Sequence, residues 1–159
     1  MKPENFYITT PIYYPSGHPH MGHAYSSIIA DVIARFMRND NYKVHFLTGT
    51  DEHGLKIQKA AEKAKLEPLI YCNKISKIFR DLSNELNLSN NDFIRTTEKR
   101  HHKSVQNLWN ILEKKGEIYL SKYSGWYSVS DEAFYLENEI DTREGVKVAK
   151  SSGSIVEWL

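Results

Sequence analysis

Phe6-Tyr7-Ile8-Thr9-Thr10 up to Pro11, a loop from Tyr13 to Gly17, Pro19-His20-Met21-Gly22-His23 opening a run that carries Tyr25, Ile28, Ile29, Val32, Ile33 and Phe36, and then Val44-His45-Phe46-Leu47-Thr48: this succession decides the fold. The first run is aromatic and β-branched and ends at a proline, so it predicts a short strand entering a loop. The apolar side chains from Tyr25 to Phe36 recur at helical spacing and predict an amphipathic helix. The third run predicts a second strand buried on both faces, closing at Gly49 with Thr50-Asp51-Glu52-His53-Gly54 as its carboxyl-end loop. Strand, loop, helix, strand is a βαβ unit. Such crossovers are almost always right-handed and join parallel strands, so the fold class is α/β, a Rossmann-like doubly wound parallel sheet.

Downstream, Ile75, Phe79, Leu82 and Leu86 predict a helix after Pro68, and Val105, Leu108, Trp109 and Leu112 predict another that stops near Gly116. Both are expected to cover the sheet. From Ile118 the pattern changes to strand-like runs, Ile118-Tyr119-Leu120 and Trp126-Tyr127-Ser128-Val129, separated by Ser124-Gly125, which places a domain boundary near Gly116. After Ser151-Ser152-Gly153-Ser154 comes Ile155-Val156-Glu157-Trp158-Leu159, apolar and without a visible partner, so the chain is expected to stop in the middle of a second, small domain.

Composition narrows the class. At 159 residues, 40% hydrophobic and 26% charged, the chain has the profile of a soluble globular domain. It is long enough to hide about 70% of its unfolded surface, which allows one domain plus a small appendage. With 21 basic and 20 acidic side chains the net charge is only +1, so composition carries no electrostatic footprint for nucleic acid. Cys72 is the single cysteine, which excludes an internal disulfide and a zinc site of several thiolates and fits a reducing compartment. Met1-Lys2-Pro3-Glu4-Asn5 leads into the first strand without an apolar signal region, and no run approaches the roughly 20 apolar residues of a membrane span. A cytoplasmic protein with no membrane partner is expected; oligomeric state is not legible.

The strongest chemical signal is His20-Met21-Gly22-His23, where the first strand's loop meets the helix. In an open parallel sheet ligands bind beyond the carboxyl ends of the strands, and a helix amino terminus there offers unpaired N–H groups and a positive dipole to phosphate. The two imidazoles add donors. Gly22, lacking a Cβ, lets a flat ligand such as a nucleobase approach the backbone. Against this stand two plainer readings: ordinary helix-start residues, or a metal site completed by His18. The second signal is Asp51 with Glu52 and His53, at the carboxyl end of the next strand and so facing the same crevice. A carboxylate there can hold an ammonium, although Glu52 equally suits a solvated turn capping the next helix. Pro11, Ile12 and Tyr14 supply an apolar wall, with core packing as the competing role for Tyr13.

These segments, Tyr7 to Tyr14, Pro19 to Tyr25 and Leu47 to Gly54, together with Asp92-Phe93-Ile94-Arg95-Thr96-Thr97-Glu98 and the approach to Trp126, resemble bacterial methionyl-tRNA synthetases, a class I synthetase family. The resemblance spans nearly the whole chain. It implies residues 1–116 as the first half of a Rossmann-like catalytic domain and 117–159 as the beginning of an inserted connective domain. By that resemblance His20 and His23 stabilise the reacting triphosphate of ATP, Gly22 seats adenine, and Pro11, Ile12 and Tyr14 line a methionine pocket. Asp51 holds the α-ammonium group, with Glu52 and His53 behind it. The implied substrates are methionine, ATP with Mg2+, and tRNA(Met).

The match has gaps. Where relatives carry the first Cys-x-x-Cys pair of a zinc knuckle, this chain has Ser128 and Asp131, so no zinc is expected and the insertion must rely on packing through residues such as Trp126 and Phe134. No Lys-Met-Ser-Lys-Ser motif and no anticodon-reading helical domain is present, so these residues alone are expected to be inactive. Three alternatives stay open: another class I synthetase, a small nucleotidyltransferase with a similar histidine motif, and a non-catalytic binding module.

Overall fold

A computed structural model describes residues 4–159. Met1, Lys2 and Pro3, part of the lead-in read above as lacking a signal region, lie outside the described residues. Contacts divide the chain into two compact units that part after Leu108.

The first unit contains β1 (Asn5–Thr9), α1 (Met21–Asn39), β2 (Lys43–Thr50), α2 (Leu55–Lys63), α3 (Pro68–Glu85) and β3 (Asp92–Arg95). The strands form one parallel sheet in the order β1-β2-β3, with Phe6 opposite Val44 and Thr48 opposite Phe93. This is the Rossmann-like α/β arrangement expected. Both crossovers step the same way across the sheet, so a common right-handed sense puts all their helices on one face. On that face Val44 and Phe46 pack with Ala30 and Ala34 of α1, while Phe93 packs with Tyr13, Ile75 and Phe79.

The other face of the sheet is open. β2 was expected to be buried on both sides, yet its first half alternates: Val44 and Phe46 are buried, Lys43 and His45 exposed. Tyr7 and His45 stack on each other on the uncovered face, ring centroids 5.8 Å apart. Only from Thr48 to Thr50 is the strand enclosed throughout.

α1 is turned the other way from the expectation. Its predicted apolar stripe does not face the sheet: Tyr25, Ile28, Ile29, Val32, Ile33 and Phe36 are all exposed, Phe36 to 66%. The buried side is Ala24, Ser27, Ala30, Asp31 and Ala34. Small residues let the helix axis approach the strands closely, whereas the large stripe would hold it off. Asp31 is buried on this side because its carboxylate accepts from Arg35 (2.6 Å) and from the Ser89 amide (2.6 Å).

α4 (Lys99–Lys114) crosses from one unit to the next and buries none of its residues, so the expectation that it covers the sheet does not hold. It ends where predicted, with Gly116 at φ +77° and the Glu117 amide donating to the Leu112 carbonyl at 3.0 Å.

The second unit is a small β assembly of β4 (Trp126–Ser128), β5 (Ala133–Tyr135), β6 (Ile140–Arg143), β7 (Val146–Ala149) and β8 (Glu157–Trp158). The run Ile118-Tyr119-Leu120 is not a strand, and Leu120 is fully exposed. The ending expected to lack a partner has one: β8 pairs antiparallel with β4, Trp126 opposite Trp158. Trp126 joins a core of Ile140, Ala149 and Val156, while Phe134 lies outside it against the rings of Tyr123 and Tyr127. Ser128 and Asp131 sit together. The Asp131 carboxylate accepts from the hydroxyls of Ser152, Tyr135 (2.7 Å) and Ser154 (2.7 Å), which hold its carboxyl down to about 2. One carboxylate ringed by hydroxyls, without thiolate or imidazole, is a donor set that does not fit structural zinc.

Candidate active site

The site is built on the carboxyl ends of β1 and β2. After Thr9 the chain bends away and returns: Thr10 donates its amide to the Leu47 carbonyl (3.2 Å), Tyr13 donates to Gly49 (3.0 Å), and Asp51 donates to the Tyr13 carbonyl (2.9 Å). The segment therefore runs alongside β2, and Tyr13 and Asp51 are locked side by side. Tyr13 is 7% exposed, so the core role is correct for its ring. Its ring stacks on Phe79 at 5.7 Å and meets His23 edge-on at 4.8 Å, while its hydroxyl pairs with Ser26 (3.0 Å) and Ser27 (2.9 Å) and donates to the His23 carbonyl (3.3 Å). One buried tyrosine thus ties the histidine-bearing helix start to the acidic loop.

At the start of α1, His20 is the N-cap with extended backbone, φ −132°. Its Nδ1 accepts the Gly22 amide at 3.0 Å, and its own amide donates to Nδ1 of His23 at 3.0 Å. This is a capping box built from two histidines. A nitrogen that accepts a hydrogen bond carries no proton, so this cap requires a bare Nδ1 on each ring and leaves each Nε2 as the donor. Burial, with the neighbouring His20 ring adding to it, lowers the His23 pKa and favours the same neutral form. Gly22 has a local reason as well: a Cβ there would come within 2.9 Å of the His20 ring. The glycine makes room for the cap.

An open cleft of about 360 Å3 lies against this helix start, lined by Ile12, Tyr13, Tyr14, Ser16, Gly17, His18, His20 and His23. It brings together four of the predicted site residues: Ile12, Tyr14, His20 and His23. Pro11 is exposed on the same segment but does not line the cleft, and neither does Gly22. Tyr14 is 43% exposed, with the Lys56 ammonium 5.8 Å from its ring centroid. His18 shares the cleft, yet among the described residues no three His, Cys, Asp or Glu side chains are grouped to hold a metal ion.

The three residues of the acidic loop separate into different environments. Asp51 is half-buried beside Tyr13. His53 is exposed and lines a different hollow of about 290 Å3 with Thr96, His101, His102, Val105 and Gln106. Glu52, read as suiting a solvated turn, is instead the most enclosed: its side chain has no exposure and accepts two hydrogen bonds from Arg95, at 2.7 and 2.9 Å. Thr50, Ser76 and Thr97 donate to the same carboxylate. Burial opposes its ionisation, but these donors outweigh that and hold the carboxyl below its usual range.

Arg95, Thr96 and Thr97 are the site residues that sequence reasoning did not single out. Arg95 ends β3 and the two threonines follow it, and Asp92-Phe93-Ile94-Arg95 is too short and too polar to show a strand period. The signal that finds them is topological: a third parallel strand after α3 must deliver its carboxyl end beside Asp51.

Comparison with known proteins gives the same location a context. The chain matches the family described as tRNA synthetases class I (M) over residues 6–153. It is 49% identical to a mitochondrial methionine-tRNA ligase of Takifugu rubripes, over 98% of this chain and 27% of that protein. It is 54% identical to a methionine-tRNA ligase of Rickettsia typhi, over 97% of this chain and 30% of that protein. The crystal structure of Mycobacterium tuberculosis methionyl-tRNA synthetase bound by methionyl-adenylate superposes with a TM-score of 0.93 at 45% identity, covering 98% of this chain and 31% of that one. The chain therefore spans less than a third of the length of these relatives.

Proposed function

Since the chain belongs to the M group of class I tRNA synthetases, we propose that it supplies the nucleotide-binding half of a methionine-activating site in a longer methionine-tRNA ligase. The reaction is attack of a methionine carboxylate oxygen on the α-phosphorus of ATP, with the bond to the β-phosphate oxygen breaking, to give methionyl-adenylate and pyrophosphate. Transfer to the terminal ribose of tRNA(Met) follows in the complete protein. The carboxylate is already ionised near neutral pH, so no general base is needed; positioning and charge stabilisation carry the step.

The observation that carries this reading is the pairing of the two loops through Tyr13, histidines on one side and Asp51 on the other. In it His20 and His23 present Nε2–H groups to the phosphates, and Gly22 keeps the cap open beneath the nucleotide. Pro11, Ile12 and Tyr14 form the wall toward the methionine side chain, and Asp51 receives its ammonium. Because the imidazoles are neutral donors, they stabilise phosphate charge without cancelling it; cancellation falls to the magnesium that enters with ATP as part of the substrate and to cations of the longer chain. We place the boundary of the catalytic half at Gly116, where α4 closes, and the setting in the cytoplasm. Among the described residues no helix is long and apolar enough to cross a membrane.

The test is ATP–pyrophosphate exchange with each of the twenty amino acids on the longest form of the protein, beside the same assay on these 159 residues. Methionine-dependent exchange in the long form, with little or none in the short one, is expected. Exchange that follows another amino acid, or nucleotidyl transfer to a phosphorylated acceptor without any amino acid, overturns the reading.

A further inference from the structure

Asp51 has its backbone held by Tyr13, but its carboxylate can still rotate about two side-chain bonds. Among the described residues one side chain hydrogen-bonds to it: the Thr96 hydroxyl, 3.5 Å from Oδ1. Thr96 is buried, at 6% exposure, immediately after β3. Its amide donates to the Thr50 carbonyl at 3.2 Å, so its position is an extension of the β2–β3 ladder. Its hydroxyl oxygen accepts the Glu52 amide at 2.8 Å, and its carbonyl lies 3.3 Å from Nε2 of His53. A single residue thus touches all three members of the acidic loop.

We propose that Thr96 is a positioning residue that aims the Asp51 carboxylate at the amino-acid ammonium; this rests on the reading of the site given above. The direction of the contact follows from valence. A hydroxyl has one hydrogen, and with the Glu52 N–H occupying an oxygen lone pair, that hydrogen is the group left to face Asp51. Glu52 cannot move to relax the arrangement, because its carboxylate is gripped by Arg95 and three hydroxyls. Arg95 in turn donates to Asn73 of α3 at 2.7 Å, so the latch is anchored to a helix as well as to β3. At 3.5 Å the Thr96 contact is weak. It orients the carboxylate without neutralising it and leaves Oδ2 for a cation, which suits a group whose strong partner is the substrate.

The experiment uses the longest form of the protein and reads KM for methionine, KM for ATP and kcat in pyrophosphate exchange. Thr96→Val keeps the shape and removes the hydroxyl. It is expected to raise the methionine KM by about tenfold, while Thr96→Ser, which restores the donor, stays within about twofold of the parent. KM for ATP stays within about twofold in both. In the Asp51→Ala background, adding Thr96→Val causes no further rise, because the carboxylate it would aim is gone. Should Thr96→Val fail to fold, Thr96→Cys, a poor donor of similar size, takes its place in the same comparisons. An unchanged methionine KM, an equal rise for ATP, or losses that multiply in the double variant overturns the proposal. If the parent itself shows no methionine-dependent exchange, the reading of the site fails; if it does and Thr96→Val behaves like it, only the role of Thr96 falls.

Discussion

His20 and His23 commit their Nδ1 atoms to the start of α1, one accepting the Gly22 amide and the other the His20 amide. Protonating either Nδ1 breaks the cap. The folded-state pKa of His23 lies below the ordinary imidazole value, so the folded form prefers the neutral ring. The sign follows: the cap contributes fully above the ordinary imidazole range near 6.5 and is lost as pH falls through the depressed value. Methionine-dependent exchange in the longest form should therefore be flat above neutrality and fall on the acid side, with helix-start disorder accompanying it. Imidazole nitrogen chemical shifts in labelled protein report this directly, since both rings should show a bare Nδ1 and a protonated Nε2 at pH 8. A protonated Nδ1 in either ring at that pH would refute the arrangement. Residue type and place made these two histidines stand out in the sequence as candidates, as the loop after β2 did for Asp51, and the structure sets both loops beside Tyr13. The tautomers were not legible, because they depend on rotamers that fold each ring back onto the backbone. Of the two readings of Glu52 the solvated turn fails for a related reason: a carboxylate in a loop reads as solvated until its partners, Arg95 and the hydroxyls of Thr50, Ser76 and Thr97, are known.

α1 shows what a periodic pattern can and cannot tell. The spacing of Tyr25, Ile28, Ile29, Val32, Ile33 and Phe36 correctly marked a helix with an apolar face, and a helix spans Met21–Asn39. It did not tell which face meets the strands. A periodic stripe carries no address, and a column of Ala24, Ser27, Ala30 and Ala34 competes for the sheet through close approach rather than bulk. The two orientations make opposite predictions for paired substitutions in these residues. Ala34, with no exposure, has no room against Val44 and Phe46, so Ala34→Leu is expected to cost about 1–3 kcal/mol in urea unfolding. Phe36→Ser removes a much larger apolar group, but from the exposed side, and should stay within about 0.5 kcal/mol in this chain. If Phe36→Ser proves the more damaging, the helix sits the other way round. Short strands were the other gap, since β3 and β8 are too brief for their own period to register and are defined by what they pair with.

At the scale of the molecule, among the described residues the three-stranded sheet is covered on one face and β1 has a neighbour on one side only. A doubly wound sheet has a second set of strands continuing beyond the first strand and helices on the opposite face, with the ligand crevice where the order reverses. In such an arrangement the reversal point would fall at the free edge of β1, beside the cleft that holds His20 and His23. The uncovered Tyr7–His45 pair lies on the face that such helices would cover. Backbone polarity makes the idea measurable. The Thr10 amide points toward β2, so by the alternation of a parallel ladder those of Phe6 and Ile8 do too, while those of Tyr7 and Thr9 point to the open edge. In the 159-residue chain, the Phe6 and Ile8 amides should exchange slowly with solvent deuterium and those of Tyr7 and Thr9 quickly. In a form as long as the relatives, Tyr7 and Thr9 should gain protection of about a hundredfold or more, because a further parallel strand then takes their hydrogens. Fast exchange at Tyr7 and Thr9 in both forms would mean that β1 stays a sheet edge and that the cleft is closed from some other direction.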